Sequence, residues 1–583
     1  MLDFISLLKQ RYQRVLAHCQ TGFADEETYQ AHVAQLSLAR ALLIKQRWIE
    51  NTPQHCAQIV VIGPTQSGKS TLVNSLVQQP VAGVSPLAGY TVHPQGFVLN
   101  DHIPDTNIIK TIFEDFMLVP VNSLDRGNYR QFSLEICPRT ADCPLPACII
   151  WDTPDFDSID ASAYREGVLA TIALADWVVL VVSKEKYADQ SVWDLLQLLE
   201  PLAQPTLVIL NKLNADNQAL IVESFQRQWR DRRRDEPPPI VPMTYQKQST
   251  LELPYRVFQL LRRSPPRARH YSHTQQFIAQ HWSQWLVPVI AEHANIQAWQ
   301  QLATQIVEEA LANYRRDYLD HPRHNATFQR AMLELLTLLE IPGIARVLAE
   351  ARRVLTWPLR QIFSKKSSIW SGSLAESSQE LMLLQQIVEH ALIQLSDRLL
   401  EKLEQEPDKR QWWKTLIIGL RQQRPLWLAH FNQAAAHYHV TFQTEIENTA
   451  ALLHQKLQEQ PLVLNGLRAT RVTTDAAVVA LTLKTGGISW HDLVVAPAVL
   501  SLTSYLAESA LGSYLHRAEA TLKQRQWQTV KEHLFEHCLL SDFLALPQYA
   551  LSDTLFAITP EQLLAAERQL NEKRHGLRLF SSS

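Results

Sequence analysis

The chain has 583 residues, 46% of them hydrophobic and 19% charged, with a formal net charge of -3. That length exceeds what a single hydrophobic core serves, so two or more domains are expected. The near-neutral charge gives no general field for nucleic acid, so no nucleic-acid partner is expected, and no uncharged run approaches the ~20 residues of a spanning helix.

Only 16 glycines, with abundant Leu, Ala and Gln, predict a mostly helical protein. The N-terminus, Met1-Leu2-Asp3-Phe4, lacks the basic and apolar regions of a signal peptide. Phe4, Leu8, Tyr12, Val15 and Cys19 recur at helical spacing, as do Tyr29, Val33, Leu36 and Leu43, and Thr21-Gly22 separates the two runs. Residues 1–54 therefore read as a helical hairpin. It is too small to fold alone, so its apolar stripes must pack on something else.

From residue 55 to 265, apolar strands alternate with helices, the α/β pattern. Strands are expected at Gln58–Ile62, Ala147–Trp151, Trp177–Val182, Thr206–Leu210 and Ile240–Met243. The long interval 95–146 predicts extra strands at Phe97–Leu99 and Tyr129–Ile136. The run Arg227–Arg234 reads as the end of a solvated helix, stopped by Pro237, Pro238 and Pro239. Arg262–Arg267 reads as a linker, and residues 270–583 carry almost only helical periodicity, as in Phe277–His293, Trp299–Tyr318, Phe328–Leu339, Leu381–Leu403, Trp412–Leu420 and Thr521–Leu540.

The chemistry concentrates at Gly63-Pro64-Thr65-Gln66-Ser67-Gly68-Lys69-Ser70-Thr71, which reads G-x-x-x-x-G-K-S between a strand and a helix. Gly63 and Gly68 let the backbone curl so that amides from Gln66 to Thr71 face phosphate oxygens. The helix N-terminus adds a partial positive charge. Lys69 is expected on the β- and γ-phosphates, and the Ser70 hydroxyl on Mg²⁺.

Further along, Asp152-Thr153-Pro154-Asp155 ends a strand and resembles the D-x-x-G element of GTPases, where the aspartate serves Mg²⁺. Asn211-Lys212-Leu213-Asn214 resembles the guanine-reading N-K-x-D, and Thr91 lies where a switch threonine is expected. The resemblance implies GTP as ligand, with Lys69, Thr91 and Asp152 as catalytic groups and Ser70, Thr91 and Asp152 around the metal. Two residues depart from the pattern. Asp155 replaces a glycine whose amide meets the γ-phosphate, and Asn214 replaces the aspartate that selects guanine, which leaves ATP as an alternative. Phe156 stands where small signalling GTPases carry a water-orienting glutamine, so slow intrinsic hydrolysis is expected.

The series Asp152-Thr153-Pro154-Asp155-Phe156-Asp157-Ser158, Ala175-Asp176-Trp177 and Lys186-Tyr187-Ala188-Asp189 resembles a group of bacterial Era-like or dynamin-like P-loop GTPases with D-x-P-D-x-D-S. The later Asp475-Ala476-Ala477 and Thr485-Gly486-Gly487 are also similar to that group. The expected fold is an α/β P-loop GTPase domain, mostly parallel with helices on both faces, plus a large all-α domain. The resemblance implies that the hairpin packs on the C-terminal bundle, that nucleotide state is coupled to the helices, and that GTPase domains pair as a homodimer. The alternative is a nucleotide-gated scaffold with negligible hydrolysis that binds a protein.

Residues 341–366 mix six basic residues with Trp357, Ile362 and Phe363, and so suit either an anionic membrane surface or an ordinary basic helix face. A cytoplasmic protein, peripheral at the inner face of the membrane, is the corresponding expectation. The apolar stretch 476–507 reads as a buried hairpin, with a membrane-inserting hairpin as the alternative. His533-Leu534-Phe535-Glu536-His537 matches H-x-x-E-H, but is read as a helix surface because too little chain follows for such a protease. Six cysteines, with Cys137, Cys143 and Cys148 spaced C-x5-C-x4-C, read as buried free thiols.

Overall fold

The computed structural model describes residues 1–18, 25–51, 56–84, 91–100, 106–139, 143–156, 161–244, 252–263, 268–320, 326–339, 379–469, 503–504, 506–509, 511–552 and 554–580. The expected segments 341–366 and 476–502 lie outside them, as do Cys19, Tyr90, Asp157 and Ser158. The chain divides into two compact units, one formed by Met1–Glu292 with Asp553–Ser583, the other by His293–Ser552.

The first unit holds an eight-stranded sheet. Its strands are β1 (Ala57–Ile62), β2 (Gln95–Leu99), β3 (Met117–Leu118), β4 (Gln131–Cys137), β5 (Cys148–Asp152), β6 (Trp177–Ser183), β7 (Thr206–Leu213) and β8 (Ile240–Thr244). Their order is β3-β4-β2-β5-β1-β6-β7-β8, and only the β2–β5 ladder is antiparallel. All seven strands expected from the sequence form; the further strand β3 is only two residues long, has both side chains exposed, and lies in the short apolar run Phe116-Met117-Leu118-Val119.

Alternation along the strands feeds two cores. Val60, Ile62, Ile149, Trp151, Val178 and Leu180 face one side; Ile59, Val61, Cys148, Ile150, Val179 and Val181 face the other. Helices α1 (Leu2–His18) and α2 (Glu26–Asn51) form the hairpin and bury their stripes in the first of these cores, beside α4 (Asn107–Ile112) and α5 (Ala161–Leu174). Helix α3 (Lys69–Val77) packs on the second core through Leu72, Val73 and Leu76.

The hairpin is also tied by charge. Lys45 of α2 is buried, donates to the carbonyls of Leu174 (2.8 Å) and Ala175 (2.7 Å) at the end of α5, and lies 3.0 Å from Asp176. Cations suit the carbonyl-rich C-terminus of a helix. Asp176 in turn accepts from the Gln58 amide (2.9 Å), at the foot of the strand that leads into the phosphate loop.

After α6 (Gln190–Leu199), α7 (Gln218–Arg232) and α8 (Tyr255–Leu261), the first unit gains residues far along the chain. The long helix α9 (Ala268–Tyr314) contributes its residues up to Glu292. Tyr12 donates to the Trp285 carbonyl (2.8 Å), and the Glu292 carboxylate accepts the amides of Phe556 (2.7 Å) and Ala557 (2.9 Å). The boundary expected at residues 265–270 thus differs from that of the compact units. Residues 268–292 and the 553–583 segment group with the sheet, because Trp285, Phe556 and Ile558 share its core with the hairpin. Another difference is Arg233. It follows α7 but is buried, with its guanidinium 4.3 Å from the Trp229 ring centre and paired to both oxygens of Asp235, instead of lying on a solvated end.

The second unit is helical. Its helices include the rest of α9, Ala326–Leu338, Gln379–Gln405, Arg410–Gln458, Pro461–Ala469, Gly512–Thr529 and Ser541–Leu551, with a π-helical stretch at Val530–Leu540. The expected pair Phe277–His293 and Trp299–Tyr318 merges, since Pro288 sits inside one helix without ending it. In this core, Glu380 accepts hydrogen bonds on a single oxygen from Tyr314, Tyr438 and Gln526, each at 2.8 Å. His533 and His537 lie exposed on the π-helical stretch, a helix surface as expected.

Candidate functional site

The phosphate loop runs from the C-terminal end of β1 into α3, both anchored in the core. Its two glycines answer separate steric demands. A Cβ on Gly63 would lie 2.2 Å from the Val181 carbonyl oxygen, on the neighbouring strand. Gly68 has φ +100° and would drive a Cβ to 2.4 Å from Asn211 Nδ2. Gln66 also takes a left-handed φ of 59°, which curls the loop inward. Ser67 and Lys69 are buried, Ser70 and Thr71 half-buried, and Gln66 exposed.

Lys69 is held inside the curl. It donates to the carbonyls of Gly63 (2.9 Å) and Pro64 (3.0 Å) and pairs with Asp155, itself buried. The carboxylate that replaces the expected glycine therefore meets the very ammonium that should grip the phosphates.

Asp152, at the end of β5, accepts from the Ser70 hydroxyl at 2.7 Å. Burial raises its pKa to about 6, opposed by the Ser70 hydrogen bond and the charge of Lys69. Among the described residues, its Oδ1 is buried without a hydrogen-bond partner. Such an atom costs free energy unless something coordinates it. A hydroxyl and a carboxylate side by side, one oxygen unmatched, form a hard-oxygen donor set that fits Mg²⁺. Thr91 is buried, but none of the described hydrogen bonds joins it to Ser70 or Asp152.

The third element closes over the loop from β7. Asn211 is buried; its Nδ2 donates to the Ser67 carbonyl (2.9 Å) and its Oδ1 accepts from the Lys212 amide (2.9 Å). Lys212 takes a left-handed φ of 58° and donates from Nζ to the Gln66 carbonyl at 2.6 Å. Both side chains thus brace the phosphate loop. Asn214 and Asp216 are exposed, Asn214 preceding a short 3₁₀ turn at Ala215–Asn217. Two partners escape a reading by motif alone. Thr153 donates to the Val61 carbonyl (2.8 Å), which ties the Asp152 loop to β1, and Asp155 lies on Lys69. The spacing shows which residues are present, not which way a side chain turns.

A mostly parallel sheet with a phosphate loop at the end of its central β1, a carboxylate at the end of adjacent β5 and a bracing Asn-Lys pair near the end of β7 defines a P-loop GTPase domain. Residues 58–212 match the model of a family described as 50S ribosome-binding GTPase. No curated protein matches the sequence. Among solved structures, an oligomerised bacterial dynamin pair described in connection with long-range sensing and tethering of membranes is 12% identical, with 98% of this chain and 98% of that chain covered and a TM-score of 0.35. The LeoA bacterial dynamin GTPase from ETEC is 11% identical, with 95% of this chain and 98% of that chain covered and a TM-score of 0.21. Similarity at that level adds nothing to the matched segment and the loop geometry.

Proposed function

We propose that this chain binds GTP with Mg²⁺ and hydrolyses it to GDP and phosphate, coupling nucleotide state to its helical parts. The observation that supports this most is the arrangement around Lys69: the Gly63 and Pro64 carbonyls hold its ammonium inside the glycine loop, and its charge acts on Asp152, which pairs with the Ser70 hydroxyl. Lys69 and the loop amides would hold the phosphates, Ser70 and Asp152 the metal, and Mg²⁺ would neutralise charge developing on the transferred phosphoryl group. Thr91 would complete the metal's surroundings. Lys212 and Asn214 would face the base, with Asn214 offering an amide where a carboxylate normally selects guanine.

A second reading, a nucleotide-gated scaffold with negligible turnover, is favoured by two observations. Asp155 occupies Lys69, and half-buried Phe156 cannot orient water. Phosphate release separates the two readings, measured for the full chain and for Lys69→Ala, with and without anionic liposomes. Turnover lost in Lys69→Ala supports the enzyme; saturable GTP binding with no turnover in any condition supports the scaffold. Competition between GTP and ATP in a binding titration tests the nucleotide. Peripheral attachment to an anionic membrane through residues 341–366, and pairing of two GTPase domains, belong to the same proposal. Liposome co-sedimentation and nucleotide-dependent sedimentation velocity test them. Among the described residues, no helix is long and apolar enough to cross a membrane.

A further inference from the structure

Three potential metal ligands meet in the helical unit, on residues that the nucleotide reading leaves unused. His430 projects from the helix Arg410–Gln458, Cys538 from the π-helical stretch Val530–Leu540, and Asp542 from the first turn of the helix Ser541–Leu551. Their donor atoms all lie within 4.8 Å of one another. His430 Nδ1 is 2.8 Å from Asp542 Oδ2 and 3.5 Å from Cys538 Sγ.

A histidine–aspartate pair on a surface is common and explains the first contact by itself. It does not explain why a buried thiol converges on the same imidazole nitrogen. The π-helical stretch is where the local geometry is unusual. Eleven residues of wider turn lead from Val530 to Leu540, and Cys538 comes near its end, four residues before Asp542. Departures of this kind from α-geometry often mark functional sites.

We propose that His430, Cys538 and Asp542 form a binding site for a zinc-like divalent cation, with a fourth position open to solvent beside His430. Zinc bonds of ~2.0–2.3 Å to nitrogen, sulfur and oxygen place neighbouring donors roughly 3.3–3.8 Å apart in a tetrahedron. The sulfur–nitrogen distance already falls in that range, and the nitrogen–oxygen pair needs to open by under ~1 Å. Imidazole, thiolate and one carboxylate suit zinc better than magnesium or calcium, which favour oxygen alone. Burial, with Asp542 adding to it, pushes the Cys538 thiol up to about 12, so metal binding must expel that proton to solvent as the sulfur–metal bond forms. The imidazole likewise binds in its neutral form. His430 is exposed, with its side chain at 56% of full accessibility, which gives the ion a path in and room for a water ligand. A bound ion would cross-link the helix Arg410–Gln458 to the Cys538–Asp542 segment.

The test uses the full-length chain, reduced and stripped of metal, titrated with Co²⁺ and then Zn²⁺. The expected result is a thiolate-to-cobalt charge-transfer band that saturates with the site and is displaced by Zn²⁺. The band disappears in Cys538→Ser, and Co²⁺ affinity falls more than about tenfold in His430→Gln and Asp542→Asn. His430→Gln changes an exposed side chain and keeps the test sound if the buried Cys538 variant folds poorly. Zn²⁺ should also raise the melting temperature of the parent chain more than that of His430→Gln. Cobalt at the oxygen-lined Ser70–Asp152 site gives no thiolate band, so the nucleotide site cannot mimic the signal. Absence of the band in the parent chain, its persistence in Cys538→Ser, or unchanged affinity in His430→Gln overturns the proposal.

Discussion

At the scale of single residues, Lys69 and Asp155 form a buried pair, and a triphosphate must take Lys69 from that carboxylate. Asp155→Ala leaves the ammonium without its partner and removes a negative charge from the phosphate position. GTP should then bind roughly tenfold more tightly, about 1.4 kcal/mol, while the protein without nucleotide loses stability. Calorimetric titration checks the first effect; weaker binding in Asp155→Ala would refute the idea of a latch. Lys69→Ala should abolish saturable binding, because it removes the ammonium that the Gly63 and Pro64 carbonyls hold inside the loop's curl.

Asp152 adds a pH dependence. Its folded pKa, about 6, is above its ordinary value of 3.8, so the folded state holds the proton more tightly than the unfolded chain. Its contribution to stability is therefore most favourable below about pH 4 and is lost as pH rises through about 6. Metal binding runs the other way, since Mg²⁺ needs the carboxylate. The Mg²⁺-dependent gain in GTP affinity should be full near pH 7.5 and mostly gone near pH 5, and Asp152→Asn should remove it at both. Equal Mg²⁺ dependence at the two pH values would show that Asp152 is not a metal ligand.

At the scale of elements, the hairpin is fastened to the sheet by Lys45, whose ammonium joins the end of α5 to Asp176 and, through it, to the Gln58 amide. Removing one partner of a buried pair costs about 3–5 kcal/mol. Lys45→Ala should lower the unfolding free energy of the first unit by that order, measured by denaturant titration. In the second unit, Glu380 draws Tyr314, Tyr438 and Gln526 from three other helices onto one oxygen. Burial first, and then the carboxylate's charge, keep both tyrosines protonated far beyond the physiological range. Glu380→Ala strands three buried donors and should cost ~3 kcal/mol or more, seen as an earlier melting transition.

At the scale of the whole molecule, the first unit is not contiguous in sequence. Its closure depends on Glu292 receiving the amides of Phe556 and Ala557, the latter held at a left-handed φ of 48°. Glu292→Ala leaves those amides without an acceptor. Hydrogen exchange at Phe556 and Ala557 should accelerate well before exchange in β1, β5 and β6 changes. Uniform acceleration across the sheet would instead mean that the returning segment unfolds only together with the rest of the unit.

Local chemistry sufficed for much of this. An apolar strand, two glycines, a lysine and a serine predict a phosphate loop wherever they occur in that order, because backbone sterics and amide direction are short-range. The strands β1, β5, β6 and β7 were legible for the same reason, since their continuous apolar runs leave no solvent-facing side. Other features depend on partners more than a hundred positions away or on side-chain direction. Asn211 turned to the Ser67 carbonyl, Lys45 lodged on Asp176, and Phe556 was drawn to Glu292. Motif spacing placed Asp155 beside the γ-phosphate position, and only packing turned its carboxylate onto Lys69. Periodicity reports which face of a segment is apolar; which other apolar face covers it is decided by the three-dimensional fit of the whole chain.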